Sequence, residues 1–214
     1  MKGVVLKMLY TVLIGTMALR PPAAFAIPVS GIDVGPESIF GNESFSVGWA
    51  FRTNADLFVS ELGYYNRTRV IPDVGTVGMG FSHEVGLFSA TGLLLASATV
   101  NPSDLLIDDF RYAAILQLAL SANTHYVIAG YNFIDTDGYI ATSVFTSPAE
   151  VSYLGGLLLE SAGLAFPTIT ASVPGGSIFG PNFRYSIPEP STMILLGGAM
   201  LSLGFIRHVV GKSG

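Results

Sequence analysis

Cysteine is absent from this chain of 214 residues, and charged residues make up only 12% of it. Without cysteine no disulfide framework can stabilise the fold, so the chain needs a sizeable hydrophobic core of its own. Soluble domains usually carry about 25% charged residues, and the lower value here favours strands over helices. The length is typical of one domain with short appendages.

Several catalytic signatures are also missing. The sequence contains no Gly-x-Ser-x-Gly, no His-Glu-x-x-His and no Gly-x-x-x-x-Gly-Lys-Ser/Thr. Their absence argues against a hydrolase with a nucleophile elbow, a zinc protease and a P-loop nucleotidase. A glycosidase leaves no comparable signature, because the separation of its two carboxylates is spatial. We predict a protein that is not an enzyme, with an envelope hydrolase as an alternative.

Basic residues are scarce between the two ends of the chain. Residues 27–189 contain five arginines and no lysine against fifteen acids, a formal charge of −10. A surface of this sign repels polyanions. We therefore predict no nucleic-acid partner.

Residues 1–26 have the parts of a secretory signal peptide. Lys2 and Lys7 precede an apolar run, and Ala24 and Ala26 place small residues at the two positions that a signal peptidase recognises. An uncleaved anchor helix is the alternative, but the run is shorter than the ~20 residues of a membrane span and ends at Arg-Pro-Pro. We therefore predict cleavage after Ala26 and export of the rest.

Alternating apolar residues predict a series of antiparallel strands between this leader and the tail. The clearest supersecondary unit is a hairpin, since two β-prone runs flank the short turn Ala90-Thr91-Gly92. The predicted strands are residues 43–52, 57–65, 83–89, 93–100, 110–120, 124–132, 139–145 and 177–186.

Two stretches leave more than one interpretation. Residues 110–120 contain helix formers and a continuous apolar pattern, and we favour a strand there because another strand follows closely. Residues 148–174 fit either a strand pair or a loosely helical excursion across an open end of the fold. Residues 66–82 are Gly-rich and predict a long connection.

Closely spaced strands without alternating helices predict an all-β fold, an antiparallel β-sandwich of jelly-roll-like topology. We expect this domain to span residues 27–186. A signal helix would precede it, and a segment of residues 187–214 would follow it.

Acidic turns are the best candidates for a metal site. Asp135 and Asp137 bring two carboxylates to one side of an Asp-x-Asp-Gly turn, which suits calcium. The other ligands of an EF-hand are missing, so a solvated turn is the favoured interpretation and calcium the alternative. His83 and Glu84 are strand neighbours that point to opposite faces, so they cannot share a zinc ion. We predict no catalytic residue, no metal site beyond this calcium candidate and no other cofactor.

Aromatic side chains support a second hypothesis, a carbohydrate-binding module that holds exopolysaccharide. On strands such residues more often fill the core or pair across strands. Tyr64 and Tyr65 are adjacent and must point to opposite faces, so we expect one of them to be exposed. The residues of such a platform would be Trp49, Tyr64, Tyr65, Tyr131 and Tyr139.

The end of the chain joins an extended strip to an apolar segment. Pro188 and Pro190, on either side of Glu189, remove two amide donors and keep the backbone extended. The apolar sequence that follows predicts a transmembrane helix over residues 191–210. Arg207 and Lys212 would keep its end on the cytoplasmic side. Because the uncharged part is short and contains glycine, we expect a temporary tether.

This tail resembles the PEP-CTERM sorting signal of Gram-negative bacteria, through Pro188-Glu189-Pro190, the apolar run and the basic end. The stretches His83 to Thr99 and Gly180-Pro181-Asn182-Phe183 are similar to the β-sandwich domains that precede such signals. The resemblance implies a membrane-bound processing partner, an exosortase, in bacteria that make exopolysaccharide.

The resemblance and the leader together predict an exported protein, anchored in the inner membrane as a precursor and then located at the cell surface or outside the cell. Its expected role is structural or adhesive in the envelope or extracellular matrix.

Overall fold

The computed structural model describes residues 28–34, 38–40, 44–66, 69–71, 75–133, 137, 139–171 and 177–188. The predicted signal peptide and most of the predicted sorting tail lie outside these residues. Every regular element in the described ranges is a strand, and none of these ranges contains a helix able to cross a membrane.

The strands range from two to eleven residues, and the longest belong to the two main sheets. They are β1 (Val29–Ser30), β2 (Asp33–Val34), β3 (Ser38–Phe40), β4 (Phe45–Thr53), β5 (Leu57–Tyr65), β6 (Arg69–Ile71), β7 (Gly75–Val77), β8 (His83–Ser89), β9 (Leu94–Val100), β10 (Leu105–Ile107), β11 (Phe110–Leu120), β12 (His125–Asn132), β13 (Tyr139–Thr142), β14 (Phe145–Thr146), β15 (Val151–Glu160), β16 (Ile169–Thr170), β17 (Ser177–Phe179) and β18 (Pro181–Ser186).

The fold is all-β with several antiparallel sheets, including a curled half-barrel. One sheet has five strands in the order β1-β18-β5-β11-β10, and another has six in the order β16-β15-β4-β12-β8-β9. Smaller sheets are formed by β17-β13-β3, by β14-β2 and by β6-β7. The prediction of an antiparallel all-β domain is confirmed.

The two largest sheets share an aromatic core. Trp49 of β4 stacks on Phe183 of β18 with ring centroids 5.7 Å apart, and Phe51 lies 4.8 Å from the same ring. The indole N–H of Trp49 donates a buried hydrogen bond of 2.9 Å to the carbonyl of Pro181. A buried indole needs such a partner, because an unpaired polar group in the core is costly.

Both ambiguous stretches are built from strands. Residues 110–120 form β11, as favoured from the sequence, and residues 148–174 contain the strand pair β15 and β16. The chain between these two strands crosses one face of the six-stranded sheet. It is held there because Ser46 Oγ donates to the carbonyl of Gly163 at 3.1 Å and accepts from the amide of Ala165 at 2.8 Å.

The prediction that one of two adjacent tyrosines is exposed is wrong. Tyr64 and Tyr65 are both buried. Tyr64 stacks on the ring of His83, and Tyr65 packs edge-to-face against Phe110 with centroids 5.7 Å apart. Both faces of β5 are therefore covered at this end of the strand.

A β-bulge in β5 decides which of its residues face the core. Arg184 pairs with Glu61 and Tyr185 pairs with Val59, so Ser60 is an extra residue in the ladder. A bulge of one residue reverses the alternation of faces. As a result Leu57 and Val59 are buried along with Leu62, whereas Phe58 is only half-buried.

Two further expectations need correction. The predicted strand 177–186 is divided at Gly180, because β17 pairs with β13 in the three-stranded sheet whereas β18 pairs with β5 in the five-stranded sheet. Residues 139–145 do not form one strand, because the chain leaves the three-stranded sheet after Thr142 and enters the β14-β2 pair at Phe145. The hydroxyl of Thr142 accepts a hydrogen bond of 3.0 Å from the amide of Val144 and stabilises this turn. The predicted long connection 66–82 contains the hairpin β6-β7.

Candidate functional site

The predicted sorting motif begins where β18 leaves the five-stranded sheet. The strand ends at Ser186, the next residue, Ile187, is 44% exposed, and Pro188 is half-buried. Glu189 and Pro190 lie outside the described residues. The chain thus leaves the folded domain at its surface. In the sequence only Ile187 separates Ser186 from the motif, so there is no long linker.

Arg184 secures this last strand on both sides. Its Nη1 lies 2.7 Å from Oε2 of Glu61 on β5, and its Nη2 donates a hydrogen bond of 2.8 Å to the carbonyl of Pro28, next to β1. The guanidinium also lies over the ring of Tyr112, 5.6 Å from its centroid. One side chain therefore joins three neighbouring strands.

A buried histidine–carboxylate pair lies between the two large sheets and the turn before β13. Nε2 of His83 is 3.1 Å from Oδ2 of Asp137, and the two side chains are 0% and 2% exposed. Nδ1 of His83 donates to the carbonyl of Tyr131 at 3.0 Å, because a carbonyl can only accept. The ring of Tyr64 is stacked on the imidazole at 3.9 Å.

The carboxylate of Asp137 also organises the loop before β8. Its oxygens accept hydrogen bonds from the amides of Gly80, at 2.8 and 3.0 Å, and of Phe81, at 2.9 Å. Burial alone would raise the pKa of Asp137, but the hydrogen bonds from His83 and the two amides and the charge on His83 outweigh it and lower that pKa. Burial, and then the charge of Asp137, raise the pKa of Tyr64.

Protein atoms enclose both side chains of the pair, which are 0% and 2% exposed. Glu84 points to the exposed side of β8, which confirms that His83 and Glu84 do not share a face. Asp135, the other half of the calcium candidate, lies outside the described residues. Among those described, no group of three or more His, Asp or Glu side chains could hold a metal ion.

Three acidic residues line an open cavity of about 250 Å³ elsewhere in the domain. Asp108 and Asp109 form the turn between β10 and β11, with Asp108 at φ 52°, and Asp33 approaches from β2. Burial, followed by the negative charges of the other two acids, raises the pKa of Asp33. Converging carboxylates are what the hydrolase hypothesis requires, and this cavity brings Asp33, Asp108 and Asp109 together.

The proposed sugar platform is largely internal. Trp49, Tyr64, Tyr65 and Tyr139 are buried and Tyr131 is half-buried. Phe81, at 45%, is the single aromatic side chain that is well exposed in the described part of the chain. The core interpretation of these aromatics is therefore correct, and they do not form the concave aromatic face that the carbohydrate hypothesis requires.

A shallow apolar groove lies over strands β12 and β15 of the six-stranded sheet. It has a volume of about 310 Å³, with His125 at its rim. Its walls include Val127, Leu154, Leu157 and Phe166. These side chains offer apolar surface and few polar groups to orient a ligand.

No sequence pattern indicated the buried pair of His83 and Asp137 or the contacts of Arg184 that hold the last strand. His83 and Asp137 are 54 positions apart, and Arg184 and Pro28 are 156 apart. Their partners follow only from strand order. Comparison with known proteins gave no matching family model and no significant match to a curated protein.

Proposed function

We propose that this chain is an exported cell-surface or extracellular-matrix protein with a structural or adhesive role, anchored and processed through a C-terminal signal of the PEP-CTERM type. The support in the sequence is the order of the parts. A leader with Ala24 and Ala26 precedes an all-β domain, and Pro188-Glu189-Pro190 follows it directly.

The observation that carries the proposal is the surface exit of the chain after Ser186. A processing enzyme at the membrane needs an accessible, extended substrate, and Pro188 favours that conformation in the residue before it. Ile187 is exposed, and the preceding strand is held on both edges by β1 and β5. The strip would therefore be presented at a defined place on a rigid domain.

For the fold we propose the narrower class of a jelly-roll-like β-sandwich. Its support is the aromatic core between the five-stranded and six-stranded sheets, to which Trp49 and Phe183 contribute. The transmembrane helix over residues 191–210, flanked by Arg207 and Lys212, completes the proposal.

We propose a non-enzymatic role for the domain. The pair of His83 and Asp137 is enclosed and engaged with backbone groups, an arrangement that suits stability rather than catalysis. The large aromatic core suits a domain whose task is to stay folded outside the cell without disulfides.

The intact mass of the protein isolated from its native host tests the sorting proposal. We expect loss of residues 1–26 and a change at or near Pro188-Glu189-Pro190, made by an exosortase-type enzyme. A variant with Pro188→Ala and Pro190→Ala should keep its tail and remain in the inner membrane, while Pro102→Ala, a change in a distant loop, serves as the control. An unmodified tail in the wild-type protein would overturn the proposal.

A further inference from the structure

The first and last described strands are neighbours. In β1 and β18, Val29 is opposite Tyr185 and Ser30 is opposite Arg184. Because the two strands are antiparallel, residue 28 and Ser186 lie at the same end of the five-stranded sheet. The chain therefore enters and leaves this sheet at one end.

The turn Asp108–Asp109 lies at the opposite end of the same sheet. Ser186 pairs with Phe58 at one end of β5, whereas Tyr65, at the other end, pairs with Phe110, the residue after the turn. A line from this turn to the exit of the chain thus runs along the strands.

The last strand is attached along its length. Each of its six residues has a register partner in β5. The side chain of Asn182 is buried and donates to the carbonyl of Ile32 at 2.8 Å and to the hydroxyl of Tyr112 at 3.1 Å. Phe183 is locked between the rings of the facing sheet, and Arg184 connects β18 to Glu61 and Pro28.

We propose that β18 is the load-bearing strand of the protein, which transmits tension from the anchored tail into the domain. This inference rests on the proposed function, because the tail supplies the tension while it anchors the precursor in the membrane. A force on Ser186 that is resisted at the far end of the sheet acts along the strand axis. It loads the hydrogen bonds between β18 and β5 together, in shear, so that many must break at once.

A force applied between residue 28 and Ser186 acts differently. Both points lie at the same end of two adjacent antiparallel strands, so the force pulls β1 away from β18 sideways. The few bonds of the two-residue strand β1 then break one after another. The same domain should be strong in the first direction and weak in the second.

Single-molecule pulling on the full chain in detergent tests the proposal. The chain has no cysteine, so one introduced cysteine gives a unique handle opposite a C-terminal tag. We expect a rupture force several-fold higher with Asp109→Cys, at the far turn, than with Val29→Cys, on β1. Equal forces in the two geometries would overturn the load-bearing role.

Arg184→Met should lower the force measured through Asp109→Cys, because it removes the bonds to Glu61 and Pro28. Arg52→Met is the matched control, since Arg52 lies on β4 of the other large sheet and bonds to Asn123 in the turn before β12. If Arg184→Met does not fold, the comparison of the two pulling directions in the otherwise native chain still decides. The intact mass tests the sorting proposal separately, because an unprocessed tail leaves the force difference unchanged.

Discussion

The imidazole of His83 and the carboxylate of Asp137 form a buried contact of 3.1 Å that joins the start of β8 to the turn before β13. Each group has further backbone partners. His83 also donates a hydrogen bond to the carbonyl of Tyr131, and Asp137 also accepts hydrogen bonds from the amides of Gly80 and Phe81. A fully partnered pair of this kind holds irregular loops against the core. Removing one member leaves the other buried without its partner.

Asp137→Asn should destabilise the protein by about 3–5 kcal/mol, the usual effect of breaking a buried ion pair from one side. Urea denaturation followed by the fluorescence of Trp49 measures it. Glu84→Gln, an exposed change beside His83, is the control and should stay within about 0.5 kcal/mol of wild type. A similarly small effect of Asp137→Asn would show that the pair does not stabilise the fold.

The same carboxylate should contribute to acid denaturation. Because the pKa of Asp137 is lowered in the folded protein, its contribution is complete above the unfolded value of about 3.9 and is lost as pH falls through the lower folded value. The free energy of unfolding, measured from neutral pH downward, should fall less steeply with acid in Asp137→Asn than in wild type. Parallel acid limbs in the two proteins would contradict this prediction.

Gly48→Ala should strongly destabilise the fold. A Cβ at Gly48 would collide with the backbone carbonyl of Ile128 on the paired strand β12, and neither strand can move without breaking its ladder. We expect a loss at or beyond the upper end of the about 1–3 kcal/mol typical of overpacking. Gly163→Ala is the control, since a Cβ there meets no atom within 4 Å. Equal thermal midpoints for the two variants would refute the steric argument.

Asp108→Asn should lower the pKa of Asp33 toward its ordinary value. Asp108 is one of the two negative charges that help to raise it, and asparagine tolerates the positive φ of this turn. Because a raised carboxylate pKa destabilises the folded state at neutral pH, Asp108→Asn should also be slightly more stable there.

Titration of the Asp33 carboxyl by NMR measures the change at the acidic cavity. Glu160→Gln, an exposed change outside the cavity, is the control and should leave the titration of Asp33 where it is. An unchanged Asp33 titration in Asp108→Asn would mean that the acids of the cavity do not interact.

Strand positions were predictable from the sequence because face alternation is a local property. Residues 57–65 match β5, and the turn at Gly92, with φ +86°, joins β8 and β9 as the hairpin signal predicted. The candidate site was much less predictable. Neither His83 nor Asp137 carries a local signal for the other, since their contact depends on which loops the sheets bring together.

By itself the sequence determined the all-β class and the positions of the long strands, and it indicates an export leader and a sorting tail. Only the tertiary structure decided that Ser60 is a bulge, that Tyr64 and Tyr65 are both buried, and that the first strand of the domain pairs with the last. The physical reason is the separation along the chain over which each interaction acts. Periodicity and turn chemistry act over a few residues, whereas the partner of Arg184 or of His83 is chosen by strand pairing across the whole domain.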